Sequence, residues 1–565
     1  MLLGLLVIAV SSHAHAAEQS TEPYLEELIR RAQDSKLAEA REWHLLLHYR
    51  PNFFSGVTSE ADDPGFFLSP TGRTDPQAEL YATLAQFFSS DQVGRSRQPA
   101  QCAFIARYHW LKQQLAIDDQ RLPPEPCERF HAWYSELNPQ GISLIFPFAF
   151  MNNPSSMFGH TLLRIDQNGQ TEQTRILAYT INYAADVPAG AGMAFAVKGI
   201  FGGYQGFFST VPYYLKVQEY RDIENRDIWE YRLNLTPEQV RRLLMHVWEL
   251  GNAYFDYYFF KENCSYHLLS LLEWANPEWH LTDRFLFWTV PADTVRLLTH
   301  QPGLIAEIVY RPSRSTQIRR RRDHLSEEER LGLKRVVEDP AAAKSDVFTR
   351  LPPERQAFVL DLASDYLRYR ARGLRDDVEA TMYKNRNRAV LTARSAIKAK
   401  PDNVPIKPMS EPPEQGHDTS RAGLSVGWRE DEMFVDLSLR AGYHDLLDPD
   451  VGYTRDAQIE ILGASLRHYE RRNQTRLERF TLANIISLSP IDALFKAPSW
   501  KVNAGLQTVR HRGCRYCSNG VLNTGSGPRW KRSSCSGRSS LPSRRSNRMS
   551  AMPIRTITAW GAGGR

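Results

Sequence analysis

Two periodicities divide this chain, and together they decide what it can fold into. Over Tyr24–Tyr49, Gln77–Phe88, Arg107–Leu115 and Phe358–Tyr369, apolar residues recur at helical spacing. Between 420 and 510 apolar and polar residues alternate instead, as in Val435-Asp436-Leu437-Ser438-Leu439-Arg440. Helical spacing buries one stripe of a helix, and alternation buries one face of a sheet. The chain therefore needs at least one helical and one sheet-based unit. Its 565 residues agree, being more than one domain of ~100–200 residues can absorb. Mean hydropathy is −0.46 and no long uncharged apolar run follows the first 20 residues, which excludes a bundle of membrane-spanning helices.

Charge points away from nucleic acid. The net charge is +6, yet residues 524–565 hold nine Lys or Arg and no Asp or Glu, so the remainder is net negative. The first segment reads as an export signal over 1–17: the apolar run Leu2–Val10, then Ala14-His15-Ala16 as an Ala-x-Ala site, though without a positive leading region. Export implies an oxidising compartment. Of six cysteines, Cys102 can then pair with Cys127 and Cys514 with Cys517; besides Cys535 in the tail, that leaves Cys264 unpaired, as a free thiol.

The expected fold class is α+β, in the following order. Residues 18–135 form a mostly helical domain, where Trp43, His44 and His48 read as packing residues. Residues 136–290 form a mixed domain with strands near Ile142–Phe150, Met157–Ile165, Arg175–Tyr183 and Ile228–Leu233. Gly190–Gly206 holds six glycines and reads as a loop, either a lid or a plain surface turn. The clearest helix follows Thr236, with Pro237 at its first position and Gln239 placed for a capping box. Residues 291–400 read as charged helices, where Arg319–Arg322 is either a solvated face or a contact for anionic lipid. Residues 401–419 are a Pro-rich linker. Residues 420–523 are β-rich: an outer-membrane barrel, an open antiparallel sheet or a soluble sandwich. The tail over 524–565 is Ser- and Arg-rich without period, and reads as disordered or frameshifted.

Two segments carry chemistry. One is Asn152-Asn153-Pro154-Ser155-Ser156-Met157-Phe158-Gly159-His160-Thr161-Leu162-Leu163-Arg164-Ile165, which puts a His at an expected strand. The other is Asn263-Cys264-Ser265-Tyr266-His267, a Cys where a helix begins. A thiol nucleophile needs a lowered pKa, a base within hydrogen-bond reach and donors for an oxyanion. A helix N-terminus supplies the first and part of the third, and a His on a neighbouring strand supplies the second. The bland reading, a buried Cys beside a satisfied His, stands next to this one. Asn182 is the candidate to orient His160, and His267 is either an alternative base or a packing residue. Asn263, Tyr266 and His267 are candidates to line a substrate, with simple packing as the rival. Asn152, Asn153 and Ser156 either line the site or shape the turn. A zinc site of His160, Cys264 and His267 lacks a fourth ligand at metal spacing, so no metal and no cofactor is expected.

Phe158-Gly159-His160-Thr161-Leu162-Leu163-Arg164 and Asn263-Cys264-Ser265-Tyr266-His267-Leu268-Leu269 resemble the family named for the Lnb N-terminal periplasmic domain. That domain is similar to circularly permuted papain-like enzymes, the NlpC-like and lecithin:retinol acyltransferase-like folds. The resemblance spans roughly residues 136–290. It implies a permuted papain-like fold with a thiol site at Cys264 and His160. The family name refers to a lipoprotein N-acyltransferase. The resemblance therefore implies an exported acyltransferase or hydrolase working through a thioester, with phospholipid as donor and a lipoprotein amine as acceptor. The flanking regions are not implied by that enzyme. A cell-wall peptidase or amidase of the same fold, and a non-enzymatic outer-membrane binding protein, are the rival expectations. Membrane association is expected, and no nucleic acid.

Overall fold

A computed structural model describes residues 23–530 except 150, 152–156, 189–197, 373, 375, 430, 493, 496–497 and 512–513. The expected signal over 1–17, the turn residues Asn152, Asn153 and Ser156, most of the glycine-rich loop and the far tail lie outside the described residues. Two compact units divide the chain. The first takes residues up to 146 with 160–217 and 229–309; the second takes 147–159, 218–228 and everything from 310 onward.

The first unit is mostly helical up to Leu137, with two short strand pairs, Tyr49–Pro51 with Val57–Ser59 and Gln92–Val93 with Gln98–Pro99. Its helices include 23–34, Arg41–Leu46, Pro76–Gln86, Ile105–Leu115 and Glu128–Leu137. Trp43 is fully buried and its indole N–H donates to Pro76 O at 2.9 Å. His44 and His48 are also held inside, to Ala38 O and to the His246 ring respectively. Cys102 and Cys127 form a disulfide. Cys517 is disulfide-bonded too.

A seven-stranded sheet follows. Its strands are β1 (Pro139–Pro147), β2 (Leu162–Gln167), β3 (Tyr179–Ala185), β4 (Gln205–Pro212), β5 (Ile228–Leu233), β6 (Tyr254–Asp256) and β7 (Ile305–Arg311). Across the sheet they run β6-β4-β3-β2-β1-β5-β7, with β6 to β1 antiparallel throughout. The sequence places the second strand too early: Met157–Thr161 is turn and loop, and pairing begins at Leu162. It also overlooks β7, which lies in a stretch read as helical.

Two helices cover this sheet. The first, α1 (Pro237–Leu250), starts as its sequence requires. Thr236 accepts from Gln239 N at 3.2 Å while the Gln239 side chain accepts from Thr236 N at 2.8 Å. The second, α2 (Cys264–Ala275), packs on α1, β2 and β3, and every one of its residues is buried.

One buried ion network ties the middle of the sheet together. Arg164 on β2 donates to Asp166 at 2.7 Å and to Glu230 on β5 at 2.5 Å. Ser143 on β1 donates to Asp166 at 2.6 Å, and Tyr213 donates to Glu230 at 2.7 Å.

The second unit holds four long helices, Arg314–Asp323, Glu327–Glu338, Pro353–Arg372 and Asp377–Ser395. They share a core that includes Ile318, Leu333, Val336, Phe358, Leu362, Leu367 and Val390. The arginine run is absorbed within this unit. Arg319 lies over the Phe495 ring, Arg320 donates to Lys407 O, Arg321 pairs with Asp365 at 2.7 Å and Arg322 with Asp492 at 2.6 Å. These partners replace the solvated face and the lipid contact that composition alone allows.

Beyond the linker, six long strands form a meander: β8 (Arg421–Arg429), β9 (Glu432–His444), β10 (Ala457–Tyr469), β11 (Gln474–Ser487), β12 (Ser499–His511) and β13 (Cys514–Gly527). Each pairs antiparallel with the next. Of the expected alternatives this is the open antiparallel sheet and not the barrel, because β8 and β13 are the two edges of the sheet and do not pair with each other. Six described strands are also fewer than the roughly eight of the smallest up-and-down barrels. No helix among the described residues is long and apolar enough to cross a membrane.

Replacing Arg164 with Met removes the nearest cation from the buried Asp166 and Glu230, leaving Glu230 only Arg175 at 3.6 Å. Urea unfolding of Arg164→Met is expected to show a loss of about 3–5 kcal/mol.

Candidate active site

The site begins with backbone conformation. Gly159 has φ +87°, a left-handed value that costs a side-chain-bearing residue energy, and it turns the chain so that His160 stands just ahead of β2. The β2–β3 register pairs Leu163 with Ile181. Asn182 therefore lies on the neighbouring strand beside the start of β2. His160 Nε2 and Asn182 Oδ1 are 3.1 Å apart. An amide oxygen only accepts, so Nε2 carries the proton and Nδ1 is the nitrogen left for the thiol.

Cys264 is the first residue of α2 and is buried. Its N-cap is Asn263. The Asn263 Oδ1 accepts from Ser265 N at 3.1 Å and Tyr266 N at 3.3 Å, while its Nδ2 donates to Phe259 O at 3.0 Å and Thr289 O at 2.7 Å. The cap uses the next two helix donors but not the Cys264 N–H, which instead donates to the Tyr257 hydroxyl at 3.4 Å.

Two opposing effects act on the thiol. Burial pushes it up. The charge of His160 and its hydrogen bond, with main-chain and hydroxyl bonds from Thr161, push it down further, to about 7. The Thr161 hydroxyl lies 3.9 Å from the sulfur. The arrangement thus holds a thiol that is substantially ionised at neutral pH, a hydrogen-bonded imidazole and an amide that fixes the imidazole's tautomer.

The remaining candidates are placed differently. Asn263 is saturated by capping and anchoring bonds, so its side chain has no donor left for a substrate. The Tyr266 hydroxyl donates to Glu60, and its ring lies 5.6 Å under Arg50. His267 is fully buried, with its ring 4.4 Å from that of Tyr183 and 4.6 Å from that of Phe255. Neither of its ring nitrogens has a hydrogen-bond partner among the described residues. Burial, and then the charges of His48 and Arg50, hold it well below the ordinary imidazole range. It faces an aromatic cage rather than the thiol. Gly206 is part of that cage: a Cβ there would meet the Tyr183 hydroxyl at 2.1 Å.

Sequence reasoning missed Thr161 and Tyr257. Thr161 had a signal, since it follows His160 directly. Tyr257 sits in the aromatic run Tyr254–Phe260, where nothing distinguishes it from its neighbours.

Alkylation of Cys264 by iodoacetamide is expected to rise through a midpoint near pH 7. In His160→Ala burial acts with less opposition, and the midpoint moves to or above ~8.5. Peptide mapping across a pH series measures both.

Three domains of unknown function match the flanks: DUF7843 over residues 35–114, DUF7842 over 308–406 and DUF7840 over 410–539. No curated protein and no solved structure matches the chain. The segment that carries His160, Asn182 and Cys264, residues 129–301, matches the Lnb N-terminal periplasmic domain family.

Proposed function

We propose that the chain is a periplasmic thiol acyltransferase or hydrolase of the cell envelope, with Cys264 as nucleophile, His160 as base and Asn182 as the residue that orients His160. The observation that carries this reading is the 3.1 Å contact of His160 Nε2 with Asn182 Oδ1, on an imidazole that also hydrogen-bonds a thiol drawn down to about 7. A permuted papain-like fold for the central domain is supported by the order of the parts. His and Asn arrive first on β2 and β3, and the Cys helix follows, whereas in papain-like proteases the Cys precedes both.

The thiolate attacks the carbonyl of an acyl ester. The oxyanion is met by the Cys264 N–H and by the Tyr257 hydroxyl, the two groups that bond to each other in the free site. Collapse forms a thioester and breaks the ester bond, and His160 gives its proton to the leaving alcohol. An amine or water then attacks the thioester, His160 takes up its proton, and the thiol is restored. Phospholipid is the proposed donor and a lipoprotein amine the proposed acceptor.

Membrane contact is supported by the C-terminal sheet. Leu424, Leu437, Leu466 and Leu477 lie opposite one another across four strands and are all exposed, as are Val426 and Trp428 on the same face. The other face is polar and more covered: Arg467 binds Asp436 at 3.0 Å and Glu478 at 3.2 Å, and Ser465 donates to Asp436. Apolar-out and polar-in is the pattern of lipid-facing strands.

Incubation with phosphatidylethanolamine vesicles is expected to leave an acyl mass on Cys264, absent from Cys264→Ala and reduced by about 10²–10⁴ in rate in His160→Ala. Mass spectrometry of the Cys264 peptide is the readout. Cleavage of cell-wall peptides without any acyl adduct would move the assignment to the peptidase reading. In a second measurement, the triple change Leu424→Glu, Val426→Glu and Trp428→Glu is expected to abolish co-sedimentation with the same vesicles.

A further inference from the structure

We infer that His417 Nε2, His444 Nδ1 and Asp448 Oδ2 form a binding site for a divalent transition-metal cation of the zinc type. The three residues lie in the second unit, apart from the thiol chemistry, and the inference does not rest on the proposed function. His417 precedes β8, His444 ends β9 and Asp448 lies in the turn after it. Their three ligand atoms lie within 4.8 Å of one another.

Hydrogen bonding fixes which atoms present lone pairs. His417 Nδ1 is 2.6 Å from Asp418 O, a carbonyl that can only accept, so Nδ1 carries the proton and Nε2 the lone pair. That lone pair points at His444 Nδ1, 3.0 Å away, and at Asp448 Oδ2, 3.7 Å away. His444 Nε2 is buried without a hydrogen-bond partner, and its nearest acid is Asp450 at 3.9 Å. In the tautomer that binds a cation, the Nε2 proton faces that carboxylate and Nδ1 presents a second lone pair to the first; in the other, Nδ1–H donates to His417 Nε2.

Without a cation, the 3.0 Å contact is closed by a proton shared between the two nitrogens; a cation between the rings takes both lone pairs in its place. Zinc binds nitrogen at about 2.0–2.1 Å in a tetrahedral shell, which sets its ligands roughly 3.3–3.5 Å apart. The distances of 3.0 and 3.7 Å bracket that separation. The surroundings are those of a supported ligand set. A backbone carbonyl orients one imidazole, as is usual for metal-bound His. Tyr453 stacks on both rings at 4.3 and 4.5 Å, and its hydroxyl donates to His417 O. Asp448 is anchored by Arg440 at 2.6 Å, by Arg421 at 2.8 Å and by the Asp445 N–H at 3.0 Å. Because the two guanidinium groups already share its charge, the imidazoles supply most of the affinity. The His417 side chain is about a quarter exposed and gives the cation a way in.

The test is a Co²⁺ titration of the full chain in a Cys264→Ala background, which removes the thiol as a competing ligand, after treatment with EDTA. One saturable equivalent with visible d–d absorption, displaced by Zn²⁺, is expected. His417→Ala and His444→Ala should each weaken binding at least tenfold, and Asp448→Asn less. Should His444→Ala fail to fold, His417→Ala and His417→Gln carry the test at the more exposed ligand. Absence of saturable absorption, or equal binding in the His417 variants, would overturn the site and leave a pair of imidazoles sharing a proton.

Discussion

Arg164 is the constraint on which the rest of the central domain depends. A guanidinium with almost no exposure is costly to bury alone, and each carboxylate beside it is costly in the same way. Together, Arg164, Asp166 and Glu230 satisfy one another, with Ser143 and Tyr213 taking remaining lone pairs. The network fastens β2 to β1 and β5. It also fixes where β2 begins, and His160 stands two residues before that point. The motif that marks the active-site His therefore carries its own structural clamp four residues later. Its Arg does not need to touch a substrate to be required.

The thiol site shows the same competition between burial and partners. Burial alone would leave Cys264 a protonated, inert side chain. The opposing effects come from His160 and Thr161, just ahead of β2, and Asn182 on β3 holds the His160 ring. Asn263 is saturated by structural bonds. It holds the helix start so that the Cys264 N–H is left uncapped and turned toward Tyr257.

Legibility in the sequence followed how local each cause is. The Thr236 capping box, the Cys102–Cys127 pair and the alternating strands are written within short windows, and the structure has all three. Strand β7 was unreadable because Ile305–Arg311 lies among charged helices and is recruited by the edge of a sheet laid down much earlier. The partners of Arg319–Arg322 are far away in sequence, at Asp365, Lys407, Asp492 and Phe495, so composition could not tell a solvated face from an internal one. Within the site, His160, Cys264 and Asn182 could be proposed because their chemistry is restrictive. Tyr257 could not, because a Tyr among aromatic residues has packing as its default. Tyr266 and His267 misled for the opposite reason: nearness in sequence to Cys264 put them on the same helix, but their side chains run into the core.

The C-terminal sheet inverts the rule that the central sheet obeys. In β2 the residues Leu162–Asp166 are all buried, as befits a sheet covered by helices. In β8 the opposite side is Arg, Gly and Ser, while Leu424, Val426 and Trp428 face outward with about 67–74% of their surface exposed. At ~25 cal/mol per Å², a row of such side chains across several strands amounts to many kcal/mol of unrealised burial. Meanwhile Asp436, Arg467 and Glu478 are desolvated enough to need one another. A sheet arranged this way is stable in water only if the polar network outweighs the exposed apolar face. In hydrocarbon the outward face would be solvated by what surrounds it, so the alternation that marks residues 420–510 as β-structure is also what the proposed membrane contact rests on.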